Sequence, residues 1–131
     1  MNRGLSMREE ALGYYRKDIG CSQSVLMAFE KKYAELPWQL KNACGAMNAG
    51  FGIGGMCSVV IAGIMIFGIL YDENTAKRLR MKLLDQMADN GLSLLCPLLR
   101  KHYGENGCDM LVGEIAGLID GILDEEGYIG V

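Results

Sequence analysis

Apolar residues recur along this chain at intervals of three and four, the spacing that places side chains on one face of a helix. Three segments show this pattern most clearly, at 21–36, 75–89 and 108–123. Alternation with a period of two, which would indicate a strand, is not sustained anywhere. The pattern therefore predicts an all-α fold.

Local signals predict where the helices begin and end. Ser6 followed by Glu9 is a capping-box pattern and predicts a first helix that runs to about Lys17, before Gly20 interrupts it. Pro37 suits the first position of a third helix. The helix over 75–89 is expected to stop at Asn90–Gly91. The remaining predicted helices cover residues 38–49, 57–71 and 97–102.

The most apolar segment lies in the middle of the chain. No charged residue occurs from Asn42 to Tyr71, and the strongest helical part of this run, 57–71, would extend only about 22 Å as a helix. A bilayer core is about 30 Å thick, so we expect a helix buried on all sides rather than a membrane span. The whole chain, 1–131, is expected to be a single helical domain, a compact bundle of about five to seven helices around this central apolar helix.

Composition narrows the classes of function. The chain of 131 residues is 50% hydrophobic and carries a net charge of -3, so it has no basic footprint and no nucleic-acid partner is expected. Its first residues, MNRGLSMREEALGYY, lack the apolar core of a signal peptide, which predicts a cytoplasmic protein. In that compartment the five cysteines are expected to be catalytic, metal-binding or inert rather than joined in structural disulfides.

A glycine-rich stretch, GFGIGGMC at residues 50–57, contains the G-x-G-x-x-G spacing of dinucleotide-binding turns. That fingerprint works when it follows a strand in a βαβ unit, whereas a helix precedes it here and no strands are predicted. We therefore interpret the stretch as a loop that exposes Cys57. Because glycine permits positive φ and close approach of a small ligand, Gly52, Gly54 and Gly55 are candidate cofactor-binding residues.

Four of the five cysteines lie at or beside predicted helix N-termini, where unpaired N–H groups and the helix dipole favour a thiolate. These are Cys21, Cys57, Cys96 and Cys108. Cys44 differs because it lies about two turns into its helix. The alternative for each cysteine is a buried core residue that behaves as a small hydrophobe.

The cysteine layout resembles the family of redox proteins named for its C…GCAxxG…C…C pattern, over most of the chain. The matching segments are GCSQSVLMAF, GFGIGGMCSVVIAGIMIFG, CPLL and CDMLVGEIAGLIDGIL. Carried over by residue, the four family cysteines fall on Cys21, Cys57, Cys96 and Cys108. After Cys57 the chain departs from the C-G-A-x-x-G pattern, because Ser58, Val59 and Ala62 replace its small positions.

The resemblance implies a helical domain with a redox or metal role and, from gene neighbourhoods in the family, association with a transport system. Our first hypothesis is a thiol-based redox protein, an oxidoreductase acting by dithiol–disulfide exchange or electron transfer, in which Cys57 reacts and Cys21, Cys96 or Cys108 resolves it. The second is a metal ion or iron–sulfur cluster held by the same four cysteines. The third is a non-catalytic interaction module with core cysteines. A cofactor is therefore left open, and a homodimer is expected to bury part of the apolar surface.

Overall fold

The computed structural model of the protein describes residues 6–48, 50–95, 97–98, 101 and 107–128. Within these residues the regular structure is helical, apart from one isolated antiparallel bridge between Met56 and Leu95. The predicted all-α fold is confirmed. The α-helices are α1 (Met7–Tyr15), α2 (Cys21–Lys32), α3 (Trp38–Gly45), α4 (Ser58–Leu70), α5 (Glu73–Asp89) and α6 (Gly107–Glu125).

The predicted helix starts agree with the structure more closely than the predicted helix ends. The hydroxyl of Ser6 accepts a hydrogen bond from the Glu9 N–H, which confirms the cap of α1. Helix α1 nevertheless ends at Tyr15, and α3 ends at Gly45, four residues before its expected end. Pro37 is the N-cap of α3 rather than its first helical residue. Of the predicted helix 97–102, residues 97, 98 and 101 are helical and the others lie outside the described residues.

The glycine-rich stretch is not a loop, as we expected, but a short π-helix over Gly50–Gly54. Gly52 and Gly54 have φ values of 76° and 69°, in the left-handed region that L side chains rarely adopt. The predicted need for glycine with positive φ is therefore confirmed at these two positions. The π-helix ends two residues before Met56, which forms the bridge with Leu95.

Helix α4 packs against α2, α5 and α6, and its composition is strongly apolar. Val59, Val60, Ile66 and Phe67 are fully buried, whereas Ile69 exposes 45% of its surface. Burial of this helix on all sides is therefore not confirmed. None of the helices in the described part of the chain combines the length and the apolar composition needed to cross a bilayer.

A partly buried carboxylate ties together α1, α2 and α6. The Asp120 carboxylate of α6 accepts hydrogen bonds from Lys32 Nζ at 2.7 Å and from the Tyr33 hydroxyl at 2.5 Å. It also accepts one from the Met7 N–H at 3.1 Å, at the start of α1. Burial, together with the hydrogen bond to Asp120, raises the pKa of Tyr33 well above its usual range. The position of α2 is thus fixed against α1 and α6.

Gly63 sets the distance between α4 and α6. A Cβ atom at this position would lie 2.6 Å from Ile119 Cδ1 and 2.9 Å from Ile119 Cγ1. Ile119 is itself fully buried, so its side chain has little room to move aside. Gly68 on the same helix is exposed, and a Cβ atom added there would meet nothing within 4 Å.

These two glycines provide a matched test of the packing. We expect Gly63→Ala to lower the free energy of unfolding by about 1–3 kcal/mol, because the methyl group overpacks the contact with Ile119. Gly68→Ala should raise the free energy of unfolding by about 0.5–1 kcal/mol, because alanine has the higher helix propensity. Urea unfolding of the two variants measures both effects. A stabilised Gly63→Ala variant would show that α4 and α6 are less closely packed.

Candidate thiol site

Two described cysteines lie at helix N-termini, as predicted. Cys21 is the first residue of α2, with Gly20 as the N-cap. Cys57 is the N-cap of α4. Both positions place the residue beside backbone N–H groups that have no intrahelical partner, and near the positive end of the helix dipole.

The sulfur of Cys21 lies in a small cluster of polar groups centred on Asn48. The Cys21 thiol donates to Asn48 Oδ1 at 3.4 Å, and its sulfur lies 3.3 Å from the Ser58 hydroxyl. Asn48 Oδ1 also accepts from the Ser22 hydroxyl at 2.6 Å and from the Ser22 N–H at 3.3 Å. The Ser58 hydroxyl lies 3.3 Å from the same oxygen. One amide oxygen thus joins the starts of α2 and α4.

Gly20 makes room for this amide. A Cβ at Gly20 would overlap Asn48 Nδ2 and would lie 2.5 Å from Gln23 Oε1, so a side chain there would have to displace both groups. Gly20 is the N-cap of α2 but has no side chain, so it cannot supply the hydrogen bond that an N-cap side chain usually accepts from the first turn. Asn48 supplies that bond from a distant part of the sequence by accepting from the Ser22 N–H.

Ser58 connects Cys21 to the second family cysteine. It follows Cys57 directly in the sequence, and α2 packs against α4. Because the Ser58 hydroxyl is 3.3 Å from the Cys21 sulfur, the structure brings the N-termini that carry Cys21 and Cys57 to the same place. Ser58 is also one of the positions at which the chain departs from the C-G-A-x-x-G pattern.

Cys57 is buried, with 2% of its surface exposed, which corrects the expectation that the glycine stretch would expose it. The reason is that a second chain segment covers it. The Cys57 N–H donates to the Leu94 carbonyl at 2.8 Å, and Met56 forms its bridge with Leu95. Cys21, by contrast, is half-buried.

The covering segment is the one that leads to the third family cysteine. Leu95 is bridged to Met56, and the ring of Pro97 lies 3.2 Å from the position a Cβ would take at Gly54. The residues on either side of Cys96 in the sequence therefore both contact the segment that ends at Cys57. Cys96 itself lies outside the described residues, so its predicted role stays a prediction.

The fourth family cysteine is only partly described. Cys108 is the second residue of α6, as predicted for a helix start, but its side chain lies outside the described residues. Among the side chains that are described, no group of three or more His, Cys, Asp or Glu residues could hold a metal ion. The cofactor-binding role predicted for Gly52, Gly54 and Gly55 stays a prediction.

Cys44 has the opposite environment. It is fully buried near the end of α3, and its thiol donates to Met65 Sδ at 4.0 Å. Burial raises the pKa of the Cys44 thiol, because the charged thiolate is poorly solvated there. Its carbonyl oxygen, however, accepts from the Ser22 hydroxyl at 3.0 Å and so helps to frame the polar cluster.

The sequence did not identify Asn48, Ser22 and Ser58 as residues of the site. A signal was present, since Asn48 and Ser58 are the only amide and hydroxyl side chains between residues 43 and 70 of the uncharged run. Polar side chains in such a run have to find partners when they are buried. The pattern indicates that partners exist, but it does not identify them.

The raised pKa of Cys44 makes a prediction about stability and pH. Since the folded state holds the Cys44 proton more tightly than the unfolded state does, the protonated thiol contributes to the free energy of unfolding. This contribution is complete below the unfolded thiol pKa of about 8.5 and is lost as the pH rises through the folded pKa. Cys44→Ala should cost about 1 kcal/mol at pH 7. Above about pH 9 the difference in unfolding free energy between the native chain and the variant should shrink, as urea titrations at both pH values would show. A difference that does not change with pH would contradict the assigned environment.

Comparison with known proteins agrees with this distribution of cysteines. A family model described as "Putative redox-active protein (C_GCAxxG_C_C)" matches residues 19–122, a range that contains all four family cysteines. No curated protein and no solved structure matches the chain. The match covers most of the 131 residues. The chain belongs to the C_GCAxxG_C_C family.

Proposed function

We propose that the protein is a thiol–disulfide oxidoreductase in which Cys21 and Cys57 form the reactive dithiol. The observation that carries this proposal is the 3.3 Å contact between the Cys21 sulfur and the hydroxyl of Ser58, the residue next to Cys57. Two helix N-termini that favour thiolates are thereby brought together. Family membership supports redox chemistry in general, and the contact supports this particular pair.

The different burial of the two cysteines supports different roles. Cys21 is half-buried and can meet a substrate, whereas Cys57 exposes only 2% of its surface. The Cys21 thiolate attacks one sulfur of a substrate disulfide, which forms a mixed disulfide and releases the other substrate sulfur as a thiolate. Cys57 then attacks the Cys21 sulfur, forms the Cys21–Cys57 disulfide and releases the second substrate thiolate. Two electrons and two protons pass in total from the protein dithiol to the substrate.

Cys96 is the second candidate partner of Cys57. The contacts of Leu95 with Met56 and of Pro97 with Gly54 support this pairing, because they lie on both sides of Cys96 in the sequence. In this variant of the proposal, the Cys96 thiolate attacks the Cys57 sulfur of the Cys21–Cys57 disulfide, which forms a Cys57–Cys96 disulfide and releases Cys21 as a thiolate. Cys108 is the remaining candidate for a resolving thiol.

The same convergence supports the alternative of a metal centre. Soft thiolate ligands suit an iron–sulfur cluster or zinc, and segments that carry three of the four family cysteines approach one another around Cys57. Cys21, Cys57, Cys96 and Cys108 would be the ligands in this case. The two proposals differ in what the purified protein contains, so one preparation can separate them.

The test begins with protein purified without oxygen and analysed for iron, zinc and a visible spectrum. The metal-free protein is then oxidised with a small disulfide, and the disulfides are located by peptide mapping. We expect a Cys21–Cys57 disulfide in the native chain. Cys21→Ser and Cys57→Ser should each lose at least roughly a hundredfold in the rate of disulfide reduction, because exchange needs both thiols. Cys44→Ala is the matched control and should keep nearly the full rate.

Several outcomes would contradict the proposal. A Cys57→Ser variant that reduces the disulfide at the native rate would exclude Cys57 from the reaction. A loss of rate in Cys44→Ala as large as that in Cys57→Ser would show that the reaction had been assigned to the wrong cysteine. A Cys57–Cys96 disulfide alone would replace the proposed pair with the second candidate. Stoichiometric metal that is lost in all four variants of the family cysteines would favour the metal centre.

We also propose that the protein forms a homodimer. Large apolar side chains support this, since Ile53 exposes 86% of its surface and Trp38 exposes 67%. Sedimentation velocity at micromolar concentration should give the mass of two chains, and Ile53→Glu or Trp38→Glu should shift the protein toward the monomer if that side chain is in the interface. A monomer at all concentrations would exclude the dimer. Association with a transport system, which family resemblance implies, stays a proposal.

A further inference from the structure

The side-chain oxygen of Asn48 has more hydrogen-bond donors around it than it can accept bonds from. An amide oxygen has two lone pairs, and four donors lie within reach of Asn48 Oδ1. These are the Ser22 hydroxyl at 2.6 Å, the Ser22 N–H at 3.3 Å, the Ser58 hydroxyl at 3.3 Å and the Cys21 thiol at 3.4 Å. The donors therefore compete, and at least two of the four hydrogens have to point elsewhere.

The two Ser22 donors are better placed to bond to this oxygen than the Ser58 hydroxyl and the Cys21 thiol. The Ser22 hydroxyl makes the shortest of the four contacts, shorter than its 3.0 Å contact with the Cys44 carbonyl, which competes for the same hydrogen. The direction of the Ser22 N–H is fixed by the backbone of α2. The Ser58 hydroxyl has one other described acceptor, the Cys21 sulfur at 3.3 Å. Its hydrogen is therefore available to the sulfur when Ser22 occupies Asn48.

The two neighbours of the Cys21 sulfur have opposite effects on its ionisation. Asn48 Oδ1 can only accept, so its contact with the sulfur favours the protonated thiol. The Ser58 hydroxyl can donate, so its contact favours the thiolate once the proton has left. Ser58 exposes only 1% of its surface, and water competes little with a bond made at such a site.

We infer that Ser58 is a positioning residue for the proposed dithiol reaction, because it donates a hydrogen bond to the Cys21 thiolate. The hydroxyl turns from Asn48 to the sulfur as Cys21 loses its proton, and Ser22 keeps Asn48 satisfied meanwhile. Because Ser58 is the first residue of α4, the same bond holds the Cys21 sulfur beside the helix start that Cys57 caps. The inference rests on the proposed function for its consequence, but the hydrogen bond can be measured separately.

The experiment measures Cys21 reactivity without requiring any disulfide. Iodoacetamide alkylates the thiolate, forming a carbon–sulfur bond and releasing iodide, and mass spectrometry reports the rate at Cys21 alone. We expect Ser58→Ala to slow this rate roughly tenfold at neutral pH, the size expected for loss of one hydrogen bond to a charged acceptor. The ultraviolet absorbance of the thiolate should fall in parallel. Ser58→Thr, which keeps the hydroxyl, should restore most of the rate.

Ser24→Ala is the matched control. Ser24 is a fully buried serine in the first turn of α2, but its hydroxyl donates to the carbonyls of Gly20 at 2.8 Å and Ile19 at 3.2 Å rather than to the sulfur. It should lose stability yet keep the native rate of Cys21 alkylation. Native-rate alkylation in Ser58→Ala would overturn the inference. Equal slowing in Ser58→Ala and Ser24→Ala would also overturn it, by showing a loosened helix start instead.

The same measurements in a Cys57→Ser background separate this inference from the proposed function. Ser58 should affect Cys21 alkylation there as well, since the hydrogen bond does not need the second thiol. If Cys57→Ser retains disulfide reduction while Ser58→Ala still slows alkylation, the dithiol proposal fails and the role of Ser58 stands. If the Ser58 effect is absent in both backgrounds, the inference fails whatever the function.

Discussion

The starts of α2 and α4 meet inside the protein, and the polar groups that gather there have to satisfy one another. Ser22 and Ser24 are fully buried and Ser58 is nearly so. An unsatisfied donor at such a place would cost about 1–3 kcal/mol. Asn48 meets this requirement for α2, because one amide oxygen takes the place of the side-chain cap that Gly20 cannot provide. The geometry around Cys21 follows from that constraint.

The constraint works because the remaining structure holds the two helices in place. At one side Asp120 binds the end of α2 to α1 and α6, and at the other Gly63 lets α4 approach α6 closely. Together they leave α2 and α4 little freedom to separate, so that hydrogen bonds of moderate length at their N-termini persist.

The three described cysteines differ for physical reasons that are visible in this arrangement. Cys21 and Cys57 lie at helix N-termini, whereas Cys44 is buried near the end of α3, where burial raises the pKa of its thiol. Cys21 and Cys57 differ in turn in their burial, because the Leu94–Leu95 segment pairs with the chain at Met56 and Cys57. A single structural type, the cysteine at a helix start, thus yields one half-buried thiol and one buried thiol, and the roles proposed for them rest on this difference.

Local sequence signals were sufficient for the fold class and for the helix starts. The helical period, the Ser6–Glu9 capping box and the glycines before Cys21 and Cys108 act within one helical turn, so each can be interpreted without a partner. They placed Cys21 and Cys57 at N-termini and separated them from Cys44. Resemblance of the cysteine pattern identified the family. Helix ends were less well predicted, because α3 stops at Gly45 without a strong local signal.

Tertiary structure alone decided which thiol is accessible and what surrounds it. Asn48 lies 27 residues from Cys21, and Ser58 lies 37 residues from it. No periodicity links such positions, because their contact depends on how α2 packs against α4. The burial of Cys57 likewise involves a segment nearly forty residues further along the chain, whose Leu94 carbonyl accepts from the Cys57 N–H. The sequence by itself determined the helices and the positions of the cysteines at helix starts. The packing of the helices determined which cysteines lie together, because hydrogen bonds and burial between distant segments are set only when the chain is folded.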